Sequence, residues 1–331
     1  MSSSSPTRSP LTSTNGHTPV FVVFKFGGTS VGSAARLKNV VRVVSEAAQT
    51  ARVLVVNSAL SRVTRQLDRA LDAFTAGEER PDAVLDGLLD GLRKRHRWQA
   101  AEVLRPTAQM RYASVVEQRL ARLREVFETV AQEGRTPAAR DAILAAGEQL
   151  AVPMVALALQ DAGLDTFHGE AVELVRTDRT FGAAKVDLAA SRTALRTWHA
   201  ELAPTAVPVI AGFIGGTARG ETTTLGFEGS DYSAALLASI LNAHVLIRYT
   251  DVDGLYTHDP STHPDATPID QLTMTEALQR IEKGELGMHP KTLQPLAEQG
   301  IPLRIRSITE LDGPGTLIAP QPQQVSARMA S

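Results

Sequence analysis

The sequence contains no cysteine, which excludes disulfides, thiolate nucleophiles and cysteine-ligated zinc. It has no surplus of one charge either: 34 basic against 36 acidic residues leave a formal net charge of -2. A general nucleic-acid binder needs a basic face, so no nucleic-acid partner is expected. No apolar run reads as long enough to span a bilayer, and no membrane partner is expected. The histidines lack HExxH or comparable ligand spacing, so no protein-held metal is expected. Two common nucleotide signatures are missing as well. There is no GxxxxGK[ST] and no good GxGxxG, which disfavours P-loop NTPases and dinucleotide dehydrogenases.

What the 331 residues do contain is room for one large domain or two lobes. Residues 1–19 are Ser/Thr/Pro-rich and predict a disordered tail, with no apolar core of a secretory signal. Residues 321–331 read as a second tail, and the cytoplasm is the expected location. Apolar strands are predicted at 21–24, 53–56, 171–176, 207–211, 245–249 and 302–305. Helical spacing is predicted over 37–48, 141–162 (kinked or broken at Pro153), 188–202, 232–242 and 273–283. The long charged stretch 67–130, with turn signals near Gly77, Pro81 and Pro106, reads as helical hairpins outside the sheet. The alternation predicts an α/β fold with a mostly parallel sheet and a site at the strand C-termini.

Three loops carry the chemistry. The strand Val22-Val23-Phe24 runs into Lys25-Phe26-Gly27-Gly28-Thr29-Ser30, and one cation beside bare backbone N–H groups and hydroxyls suits phosphate oxygens. Gly212-Phe213-Ile214-Gly215-Gly216 and Thr250-Asp251-Val252-Asp253-Gly254-Leu255-Tyr256 follow two further strands. Together they suggest phosphoryl transfer. Any one of these glycines alone would read as a plain turn. Glu148 falls in an apolar helical stretch, where a lone carboxylate is costly unless paired. Ser58 and Thr64 are hydroxyls that could equally cap a helix, and Asp231 opens an Ala-rich helix as an apparent N-cap.

Lys25-Phe26-Gly27-Gly28-Thr29-Ser30-Val31 resembles the N-terminal signature of the aspartate kinases, members of the amino acid kinase family. Ser58-Ala59 with Thr64, Gly147-Glu148, Thr177-Asp178 with Phe181-Gly182, Thr222-Thr223-Thr224-Leu225-Gly226, Gly229-Ser230-Asp231, Thr250-Asp251 and His289-Pro290 resemble later motifs in the same order. The resemblance covers about 21–318. It implies an αβα sandwich over 20–320, with an amino-acid lobe at about 20–205 and an ATP lobe at about 206–320. It implies transfer from ATP, with Mg2+, to the side-chain carboxylate of L-aspartate. The product would be 4-phospho-L-aspartate, on the way to lysine, threonine and methionine.

The same resemblance implies site roles. Lys25 and Asp231 would be catalytic, and Ser58, Thr64, Glu148 and Ser230 would bind the amino acid, Glu148 through its α-ammonium. Lys25, Gly27, Gly28, Thr29, Gly215, Gly216, Thr250, Asp251 and Tyr256 would hold the nucleotide. A homo-oligomer without C-terminal ACT domains is expected. Three positions depart from the pattern: Phe227 stands where the family has a carboxylate-gripping arginine, and Ser261 and Leu286 stand where it has ATP-binding cations. Lys283 or Lys291 could substitute for the missing ATP-binding cations, and Arg176 or Arg179 for the missing carboxylate-gripping arginine. Two other readings therefore stay open: a kinase for a different small acid, and a weakened paralogue serving as a binding or regulatory subunit.

Overall fold

The computed structural model describes residues 20–76, 80–258, 262–286 and 288–320. The expected tails, the turn at Gly77 and Ser261 lie outside the described residues. The apolar run Phe21–Phe26 forms β1, buried at every position. Burial on both faces requires a central place in a parallel sheet. The chain passes through α1 (Ala34–Ala47) to β2 (Arg52–Asn57), which pairs parallel with β1. The predicted hairpins follow as α2 (Val63–Ala76), α3 (Pro81–Val103) and α4 (Pro106–Glu133). Prolines open α3 and α4, where a missing N–H costs no helix hydrogen bond.

The chain returns through α5 (Pro137–Asp161), β3 (Thr166–Gly169), α6 (Ala171–Leu174), α7 (Leu188–Ala200) and β4 (Val207–Ala211). A hairpin of β5 (Ile214–Gly216) and β6 (Thr222–Thr224) leads to α8 (Gly229–Ile240) and β7 (Val245–Thr250). A two-stranded ladder, β8 (Leu255–Tyr256) with β9 (Pro268–Ile269), precedes β10 (Gln271–Thr273), α9 (Met274–Glu282), α10 (Pro290–Gln299), β11 (Leu303–Ser307) and β12 (Thr316–Ala319). The main sheet has 8 strands in the order β10-β12-β11-β7-β1-β2-β4-β3. Every pairing is parallel except β11 with β12. Helices flank it, with α5 packed on β2, β3 and β4, and α8 packed on β1, β2 and β7. The expected α/β sandwich with a mostly parallel sheet is the fold observed.

Four details correct the sequence reading. Residues 171–174 form the short helix α6, and the neighbouring strand lies earlier, at Thr166–Gly169. Helix α5 runs unbroken through Pro153. It is also long and apolar enough, by composition, to cross a bilayer, yet 89% of that window is buried inside the protein. Finally, β4 lies beside β2 and β3, so a boundary near residue 205 does not separate the two halves of the sheet. Strand order reverses at β1, with β2 on one flank and β7 on the other. Such a switch point opens a crevice at the strand C-termini, and Lys25 lies at this end of β1.

Candidate active site

Lys25 leaves β1 near its C-terminus and is 5% exposed. Its Nζ bonds Asp231 Oδ2 at 2.8 Å. The other carboxylate oxygen, Oδ1, is 2.9 Å from Nε of Arg248 on β7. Burial alone would raise the Asp231 pKa, but the Lys25 and Arg248 charges outweigh it and hold the carboxyl below its usual range. Burial pulls the Lys25 ammonium below its usual range; Asp231 opposes this, and the Arg248 guanidinium adds to it. Asp231 is not the N-cap anticipated. Glu228 precedes α8 in a left-handed conformation (φ 53), which places Asp231 third in the helix and turns its side chain to the cations. Sequence reading overlooked Arg248; its signal was a charge inside the apolar strand Val-Leu-Ile-Arg-Tyr.

A cavity of about 250 Å³ opens on the β2 side of Lys25. Ser58, Thr64, Glu148, Ser230 and Gly28 line it, so the structure brings together every expected amino-acid-binding residue. Ser58 and Thr64 cap no helix: Ser58 Oγ donates to Ser230 Oγ at 2.8 Å, and Thr64 lies inside α2. Glu148 is 3% exposed, and its Oε2 has no hydrogen-bond partner. Burial pushes its carboxyl up to about 8, against the Ala59 backbone and the more distant Lys25 charge. Arg62 also lines the cavity, in a left-handed conformation (φ 68) unusual for its residue type. It was not among the expected residues.

The loop after β1 is tight. A Cβ on Gly28 would lie 2.8 Å from the Ala59 carbonyl, and one on Gly27 would stand 3.4 Å from Lys25 Nζ. Gly27 keeps the space over the ammonium open, Gly28 lets the loop pack against the Ala59–Ser61 backbone, and Thr29 follows them. At the C-terminus of β7, Thr250 Oγ1 donates to the exposed Asp251 at 3.1 Å, and Tyr256 follows on β8. Gly215 and Gly216 do not face this crevice. Both are buried, Gly216 N–H donates to the Val175 carbonyl at 2.8 Å, and its own carbonyl accepts from Thr177 N–H. Their need for glycine is internal packing, which corrects the expected phosphate contact. A Cβ on Gly216 would meet the Val172 carbonyl oxygen at 2.1 Å, with backbone that cannot swing away. Gly216→Ala is expected to destabilise the fold by about 2–3 kcal/mol. A denaturant midpoint equal to wild type would contradict this.

The departures resolve differently. Phe227 is 77% exposed and is absent from the cavity lining. Leu286 is a core residue, 5% exposed. Lys291 Nζ donates to the Leu225 carbonyl at 2.9 Å, and Arg179 is engaged by Glu221 at 2.7 Å. Both are engaged within the protein, and each keeps further N–H donors. Lys283 is exposed and lies on a separate 710 Å³ cavity with His258 and His263. His289 caps α10 by accepting from Lys291 N–H, and Glu228 accepts from His289 N–H at 2.6 Å. The His-Pro motif thus ties α10 to the start of α8. Among the described residues no group of three or more His, Asp or Glu is placed to hold a metal.

The model of the amino acid kinase family matches residues 20–307. Among curated proteins, the chain is 32% identical over 312 residues to a chloroplastic bifunctional aspartokinase/homoserine dehydrogenase 1 of Arabidopsis thaliana, covering 93% of this chain and 34% of that protein. It is 30% identical over 302 residues to lysine-sensitive aspartokinase 3 of Escherichia coli, covering 90% and 64% respectively. Among solved structures, E. coli aspartokinase III in complex with aspartate and ADP superposes with a TM-score of 0.81 at 30% identity, over 92% of this chain and 65% of that one. The chain therefore spans less than two thirds of the length of these relatives.

Proposed function

This chain belongs to the amino acid kinase family, and we propose that it transfers the γ-phosphoryl group of ATP to the side-chain carboxylate of L-aspartate. A carboxylate oxygen forms the new P–O bond as the bond to the β-phosphate oxygen breaks, giving 4-phospho-L-aspartate and ADP. The observation that carries this reading is Glu148: a buried carboxyl with an unpartnered oxygen on the wall of a cavity beside Lys25. Such a group is costly until a cation arrives, and an α-ammonium is the cation an amino acid brings. The hydroxyls of Ser58, Thr64 and Ser230 would receive the α-carboxylate. Lys25 would neutralise charge on the transferred group, and Asp231 would hold Lys25 in place. Mg2+ would enter with ATP, held mainly by the nucleotide itself, and would neutralise phosphate charge. The aspartate and ADP bound by E. coli aspartokinase III support the pairing of substrates.

A different small amino acid is the second reading, favoured by Phe227 turning out to solvent where a carboxylate-binding cation was anticipated. Coupled ADP release with aspartate, glutamate and other amino acids decides between them. Aspartate is expected to give the highest kcat/KM. A higher value with another acid would transfer the assignment to that acid, and no turnover with any would defeat the kinase reading.

A further inference from the structure

We propose that Arg248 is a second catalytic cation, binding the phosphate oxygens on the nucleotide side of Lys25; this rests on the phosphoryl-transfer reading. Arg248 is paired in register with Lys25 across β7 and β1. Neighbours in register on parallel strands stand about 5 Å apart and project from the same face. Two cations so placed repel each other, and Asp231 is the anion between them, at 2.8 Å from Lys25 and 2.9 Å from Arg248. One carboxylate is shared by two cations. Glu228 and Glu148 act on Lys25 only at longer range and, among the described residues, form no ion pair with either cation, so the positive charge on Arg248 is only partly matched. The three side chains are only 6%, 9% and 20% exposed, with Arg248 the most open. A partly matched charge with so little water is costly, and a bound anion relieves it.

Position decides which anion. The amino-acid cavity is walled from the β2 side by Ser58, Thr64, Glu148 and Ser230, and Arg248 is not on its wall. Arg248 stands on the opposite flank of β1, two residues before Thr250, where the nucleotide segment begins. Its guanidinium carries five donors, and Asp231 is its only ion-pair partner among the described residues. A planar fork with spare donors suits phosphate oxygens. Phe227 and Leu286 supply no charge at the positions where cations were anticipated. Arg248 supplies one from inside the sheet.

The test is ADP binding by calorimetry, which does not depend on the acceptor. Arg248→Met is expected to weaken ADP at least about tenfold, the loss of one charge-assisted contact. A residue that acted only by placing Asp231 would lose its effect once Asp231 is neutralised. Asp231→Asn and the double variant complete the cycle, and Arg248→Met is expected still to weaken ADP at least about threefold in the Asp231→Asn background. Arg248→Lys keeps the charge without the fork; it is expected to fall between wild type and Arg248→Met, and replaces it if that variant does not fold. ADP affinity within twofold of wild type in Arg248→Met, or wholly unaffected by Arg248→Met once Asp231 is Asn, would overturn the proposal. So would unchanged ADP affinity in Arg248→Lys if only that variant folds. Wild type that binds ADP but does not phosphorylate aspartate would defeat the aspartate reading and leave this cycle able to judge Arg248.

Discussion

Replacing Lys25 by alanine is expected to lower kcat by about 100-fold or more while leaving the protein folded. Loss of one preorganised donor to transition-state charge costs roughly 3 kcal/mol, and each 1.4 kcal/mol is tenfold in rate. Lys25 meets the conditions for the upper end of such effects. It is 5% exposed, so its charge acts with little screening by water. Asp231 fixes its Nζ at 2.8 Å, so little reorganisation is needed when charge develops. Gly27 leaves the space above Nζ free. Folding survives because Asp231 keeps Arg248 at 2.9 Å and is not stranded as a lone buried charge. Single-turnover ADP release, with a thermal melt alongside, checks both halves. Near-wild-type release would remove Lys25 from the chemistry.

The local parts of this arrangement were legible because they depend on neighbours in sequence. Phe21–Phe26, Arg52–Asn57, Val207–Ala211 and Val245–Thr250 are apolar enough to require a buried parallel sheet, and each runs into a loop of small or polar residues. The long-range parts were not legible. Lys25 and Asp231 are 206 residues apart, and strand register is what sets Arg248 beside Lys25. A charge in a strand reads as an edge or a solvated face until the order of strands is known. Gly215 and Gly216 misled for the complementary reason: glycine signals a close approach without saying what approaches. Here it is the backbone around Val172 and Val175. Asp231 reads as a cap in sequence because the left-handed turn at Glu228, which moves the helix start by three residues, has no mark there.

Glu148 is expected to make amino-acid binding depend on pH and to release a proton. Burial raises its carboxyl from the ordinary 4.5 to about 8, so the ligand-free protein carries it mostly protonated at pH 7. An arriving ammonium favours the ionised form, and the proton leaves as the pair forms. Affinity for the amino acid should therefore rise with pH, approaching tenfold per unit well below 8, and flatten above about 8. Calorimetry at pH 7 in two buffers of different ionisation enthalpy reads the proton directly. The sign for stability is opposite. A carboxyl whose folded pKa lies above its unfolded value stabilises the fold below about 4.5, and that contribution is lost as pH rises towards 8. The melting temperature of the ligand-free protein should carry this decline, and saturating amino acid should offset it at the high end. Glu148→Gln keeps the shape and removes the titration. It is expected to raise the amino-acid KM by about tenfold to 100-fold, the loss of a hydrogen-bonded charge pair, with the ATP KM nearly unchanged. It should also abolish both the proton release and the Glu148 part of the stability slope. An unchanged amino-acid KM with the pH dependence intact would place the ammonium elsewhere and leave this buried carboxyl without a ligand.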